Sequence, residues 1–276
     1  MEEIKLLLDD NASIKRINVL IAILMTVFFI EYPNIVLTLS DGLFQSTDLA
    51  NYNDLKPLFN ILVLIITSIS TVIIIAKLFV NDNKSIKEDN FFNQKSKQNL
   101  SVIFFIMIGY ILLRNTIISP IFDILGSQSD NNTFANITSK FTIDQVILYI
   151  GIYIYQSLAI APITEEVLFR GIILKGMINN YSVKKSIIFS SLLFAIVHGS
   201  IEQGIYAFIG GILFSIIYLY TKSLKYTIIA HFINNLCMII PSPNTVLFSV
   251  IYIVLGITFI LISLKILKFK DSKKDK

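Results

Sequence analysis

The stretch Ala161 to Gly171, APITEEVLFRG, places two adjacent carboxylates, Glu165 and Glu166, and one arginine, Arg170, at the end of an apolar segment. Charge is rarely tolerated in such a setting. In a helix, Glu166 and Arg170 stand four residues apart and face each other, whereas Glu165 is turned about 100° away and lacks that partner. One carboxylate is neutralised in place and the other is left free. A free acid held near hydrocarbon is costly, so Glu165 needs either a distant partner or a chemical purpose.

The chain around this stretch has the composition of a membrane protein. Its 276 residues are 54% hydrophobic and 15% charged, with a mean hydropathy of +0.72, outside the range of a soluble domain. The single cysteine, Cys237, excludes an internal disulfide, and its apolar surroundings make it a packed thiol rather than a nucleophile. A net charge of +4 does not imply nucleic acid, because the lysines lie between apolar segments. Lysine far exceeds arginine, and Ile and Asn abound, a bias that points to an AT-rich, bacterial genome.

Eight apolar segments are evident: about Ile17 to Leu39, Pro57 to Val80, Leu100 to Ser119, Ile143 into the opening stretch, Ser186 to His198, Gly204 to Tyr220, Tyr226 to Ile240, and Val246 to Leu267. They predict an all-α fold, a polytopic membrane helix bundle of about eight transmembrane helices. Pro162 is expected to kink the fourth helix just ahead of the glutamates, and Pro120 to close the third. The fifth segment is short enough to be tilted or to begin in the interface. The apolar residues among 1–16 predict a short interfacial helix. With the N-terminus cytosolic, twenty of the Lys and Arg residues fall on the cytosolic side and only Lys56, Arg114 and Lys140 on the other. That asymmetry places both termini inside. Glu31 and Arg114 then lie at about the same depth, roughly 21 Å along their spans, and are a candidate ion pair.

Only two histidines occur, His198 and His231, each in an apolar helical segment. Phe194 shares a helix face with His198, and Asn235 shares one with His231. Taken singly, each polar residue reads equally well as a helix-to-helix hydrogen bond. Two histidines near the depth of an unpaired glutamate are harder to explain by packing.

EEVLFR (Glu165 to Arg170), FAIVH (Phe194 to His198) and HFINN (His231 to Asn235) together resemble the EExxxR, FxxxH and HxxxN motifs of the CPBP intramembrane proteases, the CAAX prenyl endopeptidases and their bacterial Abi relatives. The resemblance divides the chain into N-terminal membrane helices (1–142), a CPBP/Abi catalytic core (143–240), and a final span with a basic cytosolic tail (241–276). It implies an intramembrane endopeptidase in which Glu165, with His198, deprotonates a water that attacks the scissile carbonyl. His231 and Asn235 would donate to the oxyanion. Glu166, Arg170 and Phe194 would give structural support.

The implied substrate is a membrane-anchored peptide or protein within the lipid bilayer, not a nucleic acid. No cofactor is favoured. A zinc-dependent metalloprotease using Glu165, His198 and His231 as ligands is the alternative, although HExxH is lacking. A non-catalytic scaffold or bacteriocin-immunity protein is a further alternative, whereas a transporter is disfavoured by the lack of internal repeats.

Overall fold

The computed structural model describes residues 13–46, 52–81, 100–124 and 142–272, and the interfacial helix expected near the N-terminus lies mostly outside them. Eight helical runs make up this part of the chain. They are α1 (Val19–Ser46), α2 (Tyr52–Phe79), α3 (100–124), α4 (Ile143–Ile178), α5 (Val183–Ile196), α6 (Ile201–Thr221), α7 (Leu224–Leu236) and α8 (Val246–Ser272). The protein is an all-α polytopic membrane bundle.

Six of the runs, all but α5 and α7, are long and apolar enough to cross a bilayer. The remaining two have 14 and 13 residues. At 1.5 Å per residue they reach only ~20 Å, short of a hydrocarbon core of about 30 Å. The expected eight transmembrane helices therefore become six long spans and two short helices. The short ones, α5 and α7, end near the two histidines or carry them.

Proline does not end these helices. Pro33 lies inside α1 and Pro57 inside α2. In α3 a π-helical turn, Arg114–Ile118, precedes Pro120, with the Ser119 N–H reaching back five residues to Arg114 O. In α4 the turn Gln156–Ile160 precedes Pro162 in the same way, with the Ala161 N–H on Gln156 O. A wider turn rearranges the hydrogen bonds that proline interrupts, so the chain bends without stopping. As a result α4 runs 36 residues, straight through the glutamates. Glu165 lies 13 residues before its end, about 20 Å by the helical rise and well away from the helix terminus where it was expected.

The segment 13–18 straps one end of the bundle. Ser13–Ile14 (β1) pairs antiparallel with Val80–Asn81 (β2). The Ile17 N–H donates to Gly176 O at 3.0 Å, and Asn179 Nδ2 to Ile14 O at 3.2 Å. The start of the described chain, the end of α2 and the end of α4 therefore meet at one end of the bundle. Elsewhere α8 lies along α3 where Gly109 and Gly256 face each other. A Cβ built on Gly109 would stand 2.8 Å from Gly256 O, so the two backbones approach as only small residues allow.

Glu31 and Arg114 do not form an ion pair. Glu31 is exposed on α1, while Arg114 is buried, donates from Nε to Asn115 Oδ1 at 3.0 Å and lies over the Tyr206 ring at 5.2 Å.

Candidate active site

The two carboxylates of α4 point in different directions, as their 100° separation requires. Glu166 faces the core. Its Oε1 accepts from Arg170 Nη1 at 2.7 Å, and both side chains are 0% exposed. Arg170 Nη2 donates to Gly211 O on α6 at 3.0 Å, and its guanidinium lies 4.4 Å from the Phe194 ring centre and 5.2 Å from that of Phe214. Glu165 is 16% exposed at its side chain and faces a cavity of about 1400 Å³. Its Oε2 makes no hydrogen bond.

His231, on α7, stands between the two acids. Its Nδ1 lies 2.9 Å from Glu166 Oε1, and its Nε2 lies 3.9 Å from Glu165 Oε2. A carboxylate only accepts, so Nδ1 carries the proton and Nε2 is the atom turned to the cavity. The ring is fixed by stacking on Phe214 at 4.9 Å and by the edge of Phe194 at 5.8 Å. Glu166 is thus more than the partner of Arg170: it sets the tautomer and orientation of His231.

His198 was expected within a helix, but α5 ends at Ile196 and the histidine sits in the following turn. Gly199, at φ +72°, turns the chain there, in a conformation that favours glycine. The one-turn relation to Phe194 survives: His198 Nδ1 lies 2.9 Å from Phe194 O, and the two rings meet edge to face at 4.9 Å. Since a carbonyl only accepts, Nδ1 is again the protonated atom and Nε2 keeps its lone pair. His198 makes no hydrogen bond to Glu165.

Asn235 Nδ2 donates to Ser157 O in the π turn of α4 at 2.9 Å, and Asn234 Nδ2 donates to Asn235 Oδ1 at 3.1 Å. One N–H of the Asn235 amide is thereby used to hold α7 against α4. Glu165, His198, His231 and Asn235 all line the one cavity. Cys237 is a free, half-buried thiol just beyond α7.

Residues 148–237 match the family model described as Rce1-like, type II CAAX prenyl endopeptidase. This is the family that the three motifs resemble, and all three lie inside the matched Rce1-like segment. An uncharacterized protein of Mycoplasma capricolum subsp. capricolum is 28% identical over 197 residues, which cover 69% of this chain and 57% of that protein. The match thus spans little more than half of that relative's length. No solved structure matches the chain.

The α6 contribution, Gly211 and Phe214, belongs to none of the three motifs. Its signal was the Gly210-Gly211 pair, small residues of the kind that let membrane helices approach closely. A Cβ on Gly211 would stand 3.1 Å from Ser191 Cβ, 3.2 Å from Arg170 Nη2 and 3.3 Å from Phe194 Cδ1, whereas one on Gly210 meets nothing closer than 3.8 Å. Arg170 and Phe194 are pinned and cannot give way. Gly211→Ala is therefore expected to lower the Tm, since overpacking of about 1–3 kcal/mol outweighs a helix-propensity gain of up to about 1 kcal/mol. Gly210→Ala has the gain without the clash and should leave the Tm unchanged or higher. Thermal denaturation of both in one detergent checks the contrast.

Proposed function

We propose that this protein is an intramembrane endopeptidase that hydrolyses a peptide bond in a membrane-anchored peptide or protein. The observation that carries the reading is the Glu165 carboxylate, unbonded at Oε2, opening on the large cavity and 3.9 Å from His231 Nε2. An acid whose Oε2 makes no hydrogen bond and whose nearest cationic group is a histidine is expensive at such depth, and a base for water is the purpose that fits it. The Rce1-like match supports the same reaction class.

In this mechanism a water in the cavity gives a proton to Glu165, and the hydroxide adds to the scissile carbonyl carbon. His198 Nε2, with its lone pair free, accepts from the same water and orients it. The carbonyl oxygen becomes an oxyanion. Once His231 has taken a second proton, from cavity water, at Nε2, it donates from there to the oxyanion while Nδ1–H stays on Glu166, and the second N–H of Asn235 is a further donor. Each such donor contributes about 2.7–4 kcal/mol at comparable sites. Collapse of the intermediate breaks the C–N bond, with Glu165 returning its proton to the departing amine. The termini are assigned to the cytosol from the lysine distribution, and the membrane to a bacterium from the compositional bias.

Zinc would require Glu165, His198 and His231 to converge. Among the described residues no three His, Cys, Asp or Glu side chains are grouped to hold a metal ion, and no step is assigned to one. Prolonged treatment with a strong chelator is expected to leave cleavage by the purified protein unchanged. Activity lost on chelation and restored by zinc alone would make these three residues ligands.

A further inference from the structure

We propose that the cavity opens on the outer face of the membrane, so that the peptide it takes belongs to an exported chain rather than a cytosolic one. The nature of the substrate rests on the protease reading above; the side of the opening does not.

The cavity occupies one end of the bundle. α2 and α4 both finish at the strap formed by residues 13–18, and the lining they supply comes from nearer their other ends, Lys56 to Leu64 on α2 and Tyr149 to Glu165 on α4. α7 runs antiparallel to α4, since Leu224 packs on Gly171 and Asn235 reaches Ser157. Its lining residues, His231 to Leu236, therefore also lie away from the strap. The later part of α3 joins them there, where Asn115 Nδ2 donates to Ile240 O at 2.7 Å.

The rim is at that same end. Tyr153 and Met238 are 56% and 63% exposed, whereas Phe194, Phe214 and His231, at the other limit of the lining, are 2%, 1% and 4% exposed. Beyond these the bundle is solid. Glu166 and every residue from Val167 to Leu174 is buried, as are Met177 and Ile17 beneath the strap. Among the described residues, access to Glu165 is thus from the end opposite the strap.

Charge assigns the two ends to the two sides of the membrane. The connections that leave the strap end, residues 77–97, 175–185 and 222–225, carry ten lysines. Toward the cavity end the cations are Lys56, Arg114 and Lys140, and Lys56 is held by Asp41 at 2.7 Å. Basic connections stay in the cytosol, so the strap end is cytosolic and the rim is outside. The count draws only on connections between helices and leaves the chain ends aside.

Depth limits what can enter. Tyr149 and Glu165, the first and last lining residues of α4, are sixteen residues apart, about 24 Å of helix. An extended chain covers that distance in about seven residues, at about 3.3 Å each. The substrate is therefore an exported, membrane-anchored chain with an unfolded stretch of at least about that length beside the scissile bond.

Thiol labelling reads the side of the opening without cleavage. In a Cys237→Ser background, Gln203→Cys at the rim and Ala207→Cys deeper in the lining are expected to react with a small membrane-impermeant thiol reagent on intact cells, at rates that permeabilisation leaves unchanged. Lys184→Cys, exposed at the start of α5, should stay unlabelled until the cells are permeabilised. Tyr149→Cys places a second rim reporter on another helix. Cavity cysteines that remain silent until the cells are opened, with Lys184→Cys labelled from outside, would overturn the proposal. A reporter whose folded domain is joined to its membrane anchor by an apolar stretch of about seven residues or more is then displayed on either face of the membrane. Only the outer display should be cut, and shortening the stretch to about three residues should abolish the cut. Cutting of the cytosolic display alone would overturn the exported substrate. Neither display cut, with the cavity labelled from outside, would count against the protease reading and leave the opening standing.

Discussion

Arg170→Ala is expected to remove most of the folded protein. Arg170 is 0% exposed and holds four groups at once: Glu166 Oε1, Gly211 O and the faces of Phe194 and Phe214. Its loss leaves Glu166 as a buried carboxylate with only His231 for a partner. Breaking a buried pair by removing one member costs about 3–5 kcal/mol, a large share of the stability of a typical domain. The change also leaves a void where three helices meet. The amount of monodisperse protein extracted in mild detergent, and its Tm, should both fall further than for any substitution at Glu165, His198 or Asn235. Glu166→Gln with Arg170→Gln removes both charges and should recover most of the folded protein. A single Arg170→Ala variant as abundant and as stable as wild type would show that the pair does not hold the bundle.

Glu165→Gln is expected to do the opposite, leaving the fold intact and abolishing cleavage. Glu165 faces the cavity, and its Oε2 makes no hydrogen bond, so an amide of the same shape removes no structural contact at that atom. What it removes is the proposed base. General-base catalysis contributes typically 10²–10⁴-fold, and the variant should lose a factor in that range while its Tm stays close to wild type. Activity within a few-fold of wild type would end the assignment of Glu165. A scaffold or immunity protein would keep its biological effect in this variant, so the same substitution separates binding from catalysis.

The two glutamates show which features could be read from the sequence. Helical geometry alone separates Glu165 from Glu166 and pairs the latter with Arg170, because i,i+4 spacing is a local property of the chain. The Glu166–His231 hydrogen bond is not local: it joins residues 65 apart on different helices, and no spacing rule relates α4 to α7. Phe214 and Gly211 escaped for the same reason, since an apolar helix with a glycine pair has many packing solutions. Proline misled in one respect. Pro120 reads as a stop, whereas a π turn ahead of it lets the helix continue; Pro162 lies within its helix as expected, behind a similar turn. Charge misled in another: similar depth along two spans did not bring Glu31 to Arg114, because depth says nothing about which faces meet. Arg114 was instead turned into the cavity lined by the catalytic candidates.

The most direct test of the account is the source of the oxygen in the product. Wild-type protein in lipid vesicles is incubated in ¹⁸O-labelled water with a membrane-anchored reporter peptide, and the fragments are analysed by mass spectrometry beside those from Glu165→Gln. Activation of water by Glu165 predicts a new C-terminus carrying one ¹⁸O from the wild type and no such fragment above background from the variant. The absence of any new C-terminus with the wild-type protein, or its formation at equal rates by both, would contradict the account.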